Sequence, residues 1–108
     1  MRQGTMKEYR IAKALERKGF EIQDIHHVIR MNQHRKAEID IVARRGPHKY
    51  AIESKAGHQI LTARTVEHHV RRARKIGATP VFAVGPNVTF TGPAWQLIRK
   101  YRVRVWRA

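Results

Sequence analysis

Cysteine is absent from this 108-residue chain, which excludes disulfides, cysteine-ligated zinc and iron–sulfur clusters. Any metal must be held by oxygen or imidazole. Acidic residues are scarce: 8 Asp and Glu stand against 23 Lys and Arg, a formal net charge of +15. A surplus of this size makes a polyanion the expected partner, with nucleic acid ahead of membrane. No apolar run approaches the roughly 20 residues that span a bilayer, and the first residues lack the apolar core of a signal peptide. The chain is therefore expected to work inside the cell, cytoplasmic and nucleoid-associated, with no membrane partner. Repeats, low-complexity tracts and linkers are missing too, so residues 1–108 are expected to form a single domain. An arginine-rich, cysteine-free composition also suits a thermophilic source.

What is present is a compact α/β alternation. Residues 5–18 have helical spacing, with Ile11, Ala12 and Leu15 on one stripe and Gly19 as a stop before Phe20. Residues 20–29 read as a strand bent or bulged near Asp24, and residues 31–36 as a polar loop. Residues 37–43 and 49–55 form a hairpin whose turn is marked by Gly46-Pro47. Ala63, Val66, Val70 and Ala73 put an apolar stripe on a basic helix over 62–76. Residues 80–84 are wholly apolar, the pattern of a strand buried on both faces. Thr91-Gly92-Pro93 opens a further helix, and residues 102–106 close the chain as an alternating strand. The order αβββαβαβ predicts a mixed central sheet, antiparallel first and then crossing over, with helices on both faces.

Three acids and one lysine stand out against this background. Glu8 lies within roughly 60° of Ile11, Ala12 and Leu15 on a helical wheel, so its carboxylate falls amid the apolar stripe. An inward charge needs a cation, a hydrogen-bond network or a metal; at the first turn of a helix it also suits the dipole. Asp40 sits between Ile39 and Ile41, a poor place for an acid unless something binds it. Glu38 shares its face and reads as a rim charge of the strand ahead of a further ligand. One hairpin later, Glu53 and Lys55 point the same way. Alone, that pair is an ordinary surface ion pair worth under about 1 kcal/mol. With Asp40 and Glu8 beside it, the set becomes a site.

The chemistry these residues suit is phosphodiester hydrolysis. Carboxylate oxygens favour a hard cation such as Mg²⁺, with Mn²⁺ as a substitute, which keeps several waters and binds substrate phosphate directly. Asp40 and Glu53 are the expected ligands, with the Ser54 carbonyl as a further one. Lys55 is expected to position or deprotonate the attacking water and to neutralise charge on the phosphorane.

Asp40, followed after a hairpin by Glu53-Ser54-Lys55, resembles the Asp…(Asp/Glu)-x-Lys motif of the PD-(D/E)XK nuclease superfamily, whose core order is similar to the one predicted. Gly4-Thr5-Met6-Lys7-Glu8, Leu15-Glu16-Arg17-Lys18-Gly19-Phe20 and Ala78-Thr79-Pro80-Val81-Phe82-Ala83-Val84 resemble segments of archaeal Holliday-junction resolvases. That resemblance covers about residues 4–85. It implies a restriction-endonuclease-like fold, a first-helix glutamate in the active site, so that Glu8 joins Asp40 and Glu53 as a metal ligand, and a homodimer that cuts branched DNA symmetrically. Two departures point elsewhere for the substrate: Ala37-Glu38-Ile39-Asp40 is closer to the Gly-Glu-Ile-Asp of another nuclease-like branch, and the 31–36 stretch lacks a resolvase serine. A restriction-like or repair nuclease on other DNA, and a non-catalytic nucleic-acid-binding module, are the alternatives.

The remaining charge reads as a binding surface. Arg64, Arg71, Arg72, Arg74 and Lys75 load the second helix, and Arg35 and Lys36 immediately precede the Asp40 strand, so all seven are expected phosphate contacts. Seven histidines, among them His26-His27 and His68-His69, repeat no recognised zinc spacing. His58 and His68 are the ones expected near the site. Trp95 and Trp106 fall in periodic apolar segments and read as core or dimer-contact residues ahead of base-stacking platforms.

Overall fold

The computed structural model describes the backbone of residues 3–107 and the side chains of residues 6–107. Its elements run α1 (Gln3–Arg17), β1 (Glu21–Asn32), β2 (Arg35–Arg45), β3 (His48–Lys55), β4 (Gln59–Leu61), α2 (Ala63–Lys75), β5 (Thr79–Val84), β6 (Val88–Phe90), α3 (Gly92–Lys100) and β7 (Arg104–Arg107). Five strands form one sheet in the order β1-β2-β3-β5-β7. The first three pair antiparallel, and β5 joins β3 and β7 joins β5 in parallel. This is the predicted mixed α/β architecture of a restriction-endonuclease-like fold. Among the described residues no helix is long and apolar enough to cross a membrane.

Each face of the sheet is covered by one of the predicted apolar stripes. Ala12 and Leu15 of α1 pack on Ile41, Ala43, Tyr50, Ile52 and Val81. On the other face Val66 and Val70 of α2 meet Phe82 and Val84, and α3 packs behind them through Ala94 and Ile98. Full burial of such a side chain stabilises by roughly 1.5–3 kcal/mol, so the wholly enclosed Phe82 is a main anchor of the sheet. Helix ends fall where glycine permits. Gly19 and Gly77 adopt φ of 90° and 64°, and each sits in a Schellman closure, with Phe20 N donating to Leu15 O and Ala78 N to Ala73 O.

Three expectations need correction. The 31–36 stretch is not a loop: β1 runs to Asn32 and β2 starts at Arg35, leaving a two-residue turn. Met31 packs on the Ile29–Ile39 cluster, whereas residues 32–36 are exposed, so backbone pairing holds the tip without apolar alternation, and Asn32 Oδ1 closes the turn by accepting from His34 N at 2.8 Å. The last strand starts at Arg104, not 102, because α3 ends through a left-handed Arg102 (φ 54°) with Val103 N donating to Ile98 O. Finally, the order αβββαβαβ omits β4 and β6, a parallel pair of three-residue strands too short for any periodicity to register.

Candidate active site

The site lies where the sheet forks. Pairing between β2 and β3 ends at Ile41–Ile52. Beyond that step β2 continues only with β1, as far as Arg35, while β3 continues only with β5, as far as Lys55. Asp40 and Glu53 therefore stand opposite each other at the first unpaired step. The Ser54 amide, released from any β2 carbonyl, donates to Asp40 Oδ2 at 2.9 Å.

The opposite edge of β2 is irregular at the same place. His26, across from Asp40 between the pairs Ile25–Ile41 and His27–Ile39, has φ of 58°. Across this step the strands exchange faces: Ile25 and Ile41 belong to the α1-side core, whereas Ile29 and Ile39 pack with Ala73 of α2. A left-handed residue without glycine is uncommon, and such strain concentrates at functional sites. It places Asp40 at the crossover of the two faces, within reach of groups from both helices.

Glu53 is 7% exposed. Its Oε2 accepts from Arg72 Nη2 at 3.1 Å, and its Oε1 is buried without a hydrogen-bond donor. Burial first, and then the Asp40 carboxylate, push its pKa up to about 7, against the pull of Arg72 and Lys55. Two carboxylates this close share a proton unless a cation intervenes. Lys55 ends β3, half-buried. Ser54 is buried, and its Oγ has no partner.

Glu8 is 8% exposed, confirming the inward orientation read from the helical wheel. Burial and the Asp40 charge raise its pKa, with His26 and Lys7 opposing. Its Oε2 lies 2.5 Å from His26 Nε2, and the other ring nitrogen of His26 meets the Glu38 carboxylate. The hydrogen bond with Glu38, foremost, raises the pKa of His26. Thus Glu8 neighbours Asp40 but is tied to a histidine, while Asp40 and Glu53 form the close pair. Among the described residues no three His, Asp or Glu side chains converge as a ready-made metal cluster. The donor set nevertheless fits a hard cation with one or two protein carboxylates, because Glu53 Oε1 is a buried acceptor with nothing to accept from.

Two functional residues were missed in the sequence or read differently there. Arg72, expected on the phosphate-binding surface, is turned inward; it bridges the fork by also donating to Glu38 O at 3.3 Å. The available signal was the acid itself, since a buried carboxylate on the α2 face needs a cation from α2. His69 is fully buried, its Nε2–H shared between Ala51 O and Val81 O at 3.0 Å each. Burial, then Arg72, lower its pKa to about 4, so it is a neutral pin holding α2 to β3 and β5. His58 is exposed, and His68 lines a groove of about 210 Å³ with Arg35, Arg71 and Arg72 between the β1–β2 hairpin and α2. Arg64, Arg71, Arg74 and Lys75 are exposed on α2, with Arg71 paired to Glu67; Arg35 and Lys36 are exposed at the hairpin tip, on a strand. Trp95 packs on Phe90, and Trp106 on Phe20 and Tyr50.

Three solved structures share the fold. A protein of unknown function, AF1548, aligns with a TM-score of 0.74 at 21% identity over 97% of this chain. EndoMS in a complex with double-stranded DNA gives 0.63 at 12% over 100%. SfsA from Pyrococcus furiosus in complex with Ca²⁺ gives 0.53 at 18% over 97%. The chain spans 58%, 46% and 55% of those three chains. No curated protein matches it. A model of the catalytic region of Mrr-type proteins, described as restriction endonuclease, matches residues 3–108, and the chain therefore belongs to this restriction endonuclease family of the PD-(D/E)XK superfamily.

Proposed function

We propose that the protein is a divalent-metal-dependent DNA endonuclease whose reaction centre is the Asp40–Glu53 pair at the fork. The observation that carries this reading is the buried, donorless Oε1 of Glu53 beside a second carboxylate in a chain of charge +15. Family membership supports hydrolysis of DNA. Asp40, Glu53 and the Ser54 carbonyl, with Glu8 adjacent, would hold Mg²⁺ or Mn²⁺, and such a cation supplies charge to the substrate phosphate and acidity to an attacking water.

The chain's own residues do the rest. Arg72 holds Oε2 of Glu53 and leaves the buried Oε1 for the cation. The Ser54 amide fixes Asp40 in the same way. Lys55 brings an ammonium to the phosphoryl oxygens, where charge grows as the bond breaks, and orients the water that attacks. Arg35 and Lys36 on the hairpin, and Arg64, Arg71, Arg74 and Lys75 on α2, would grip phosphates on either side.

Branched DNA is the substrate we favour, cut by a homodimer as the resolvase resemblance implies; the exposed Met6 and Tyr9 on α1 supply apolar surface for a second copy. An intracellular, nucleoid-associated site of action follows from this substrate. Duplex DNA is the second reading, favoured by the likeness to a structure solved as a double-stranded DNA complex. Cleavage of labelled four-way junction, duplex, nicked and single-stranded DNA, each with Mg²⁺ and with chelator, separates them. Preferential junction cutting supports the first reading; equal rates on plain duplex support the second. Salt-sensitive binding without cleavage under any divalent ion would leave only a nucleic-acid-binding module.

A further inference from the structure

Between α1 and the C-terminal ends of β3, β5 and β7 lies an open cavity of about 320 Å³. Its walls are apolar, formed by Ile11, Leu15, Val84 and Trp106. Three cations surround it, Lys7, Lys18 and Arg107, and no acid among the described residues lines it. Ser54 borders the cavity with the one hydroxyl among its lining residues; its Oγ is buried without a hydrogen-bond partner, so a ligand meets it once the side chain rotates toward the opening. By strand alternation Ser54 shares its face with Ile52, on the α1 side, away from Glu53.

A pocket with apolar walls, one unmatched polar group and a cationic rim selects a ligand with those properties reversed. The ligand must be flat and largely apolar, have a hydrogen-bonding edge, and be flanked by more than one negative charge. A flexible monoanion would meet one rim cation and leave the others unmatched. A nucleotide within a strand meets the base, the edge and successive phosphates together. The cavity also shares Ser54 and Lys55 with the fork, so a base seated there belongs to a strand already passing the reaction centre.

We propose that this cavity takes one unstacked base of the DNA strand being cut, with its edge on Ser54 Oγ and its neighbouring phosphates on the rim cations. The inference rests on the nuclease reading and narrows its substrate class to DNA in which a base beside the cut leaves the stack readily, such as a junction centre, a mismatch or an end. Unstacking is easiest where pairing is already broken.

The test uses 2-aminopurine, placed in turn along one strand of matched and mismatched duplexes and of a four-way junction. Its fluorescence is read on binding in Ca²⁺ and in EDTA before any product forms. The expected result is a several-fold rise confined to one or two neighbouring positions and larger on the mismatch. Ala14→Trp, which fills the mouth from the exposed side of α1, removes the rise; Lys18→Glu, which reverses a rim charge, and Ser54→Ala each reduce it. Circular dichroism confirms that the variants fold. No rise at any position, or one that survives Ala14→Trp and Lys18→Glu, overturns the proposal. A localised rise with no cleavage in Mg²⁺ leaves the cavity standing and overturns the hydrolytic reading; cleavage without a rise does the reverse.

Discussion

Arg72 and Glu53 meet across the fork at 3.1 Å, a pair formed by the helix on one face of the sheet and the strand whose partner has just left it. The contact explains how a carboxylate 7% exposed persists beside a second acid. Arg72→Ala leaves Glu53 with Lys55 alone for compensation. We expect a loss of about 1.5–3 kcal/mol of stability at pH 8, the range for hydrogen bonds to charged groups, read by urea denaturation. At pH 5, where Glu53 is protonated, the loss shrinks. Arg72→Lys restores charge but not the two-point bridge to Glu38 O, so it recovers stability at pH 8 only in part.

Glu53 also makes activity and stability opposed. Its folded pKa lies above the unfolded value, so the folded state binds more protons between pH 4.5 and about 7 and stability falls as pH rises through that window. Glu53→Gln removes this term. The variant is expected to be more stable than the parent at pH 8, by up to about 3 kcal/mol, while losing cleavage. A variant that is inactive and less stable at pH 8 contradicts this account of the strain.

His69 contributes the opposite slope. Its folded pKa of about 4 lies below the ordinary 6.5, so the unfolded state binds more protons between those values and stability rises with pH there. In the parent the two groups partly cancel from pH 4.5 to 6.5. In Glu53→Gln only the smaller falling contributions of Glu8 and His26 oppose the His69 slope, and thermal stability should rise more steeply with pH up to about 6.5 than in the parent. His69→Ala should leave the falling slopes of Glu53, Glu8 and His26 unopposed by His69, at a cost of about 2–5 kcal/mol for the emptied core position.

Phosphate contacts are read best through salt. Arg35→Ala and Lys36→Ala, at the hairpin tip, should each lower the slope of log K against log salt by about 1 if each neutralises one phosphate. Affinity should fall similarly for all sequences. An unchanged slope removes the hairpin from the DNA-binding surface.

The acids and Lys55 were legible because acids flanked by Ile39, Ile41 and Ile52 contradict the pattern around them, and contradiction of pattern is a local property. Glu8 was legible for the same reason on a helix. What joins them was not local. The fork depends on where β2 leaves β3, a register between segments that no run of residues encodes. Arg72 looked like one more cation on a basic helix face, and only the buried partner distinguishes it. His26 was visible as one of an adjacent pair, yet its left-handed backbone arises from the exchange of faces between β1 and β2. The exposed hairpin tip read as a loop because its residues are paired through backbone alone.

Cation binding and DNA cleavage are expected to stand or fall together at Asp40 and Glu53. Parent, Asp40→Asn and Glu53→Gln are compared for Ca²⁺ binding by calorimetry and for cleavage of labelled DNA in Mg²⁺. Each substitution is expected to abolish both cation binding and cleavage while the protein stays folded and still binds DNA in a salt-sensitive way. Cleavage by either variant at the parent's rate would contradict this.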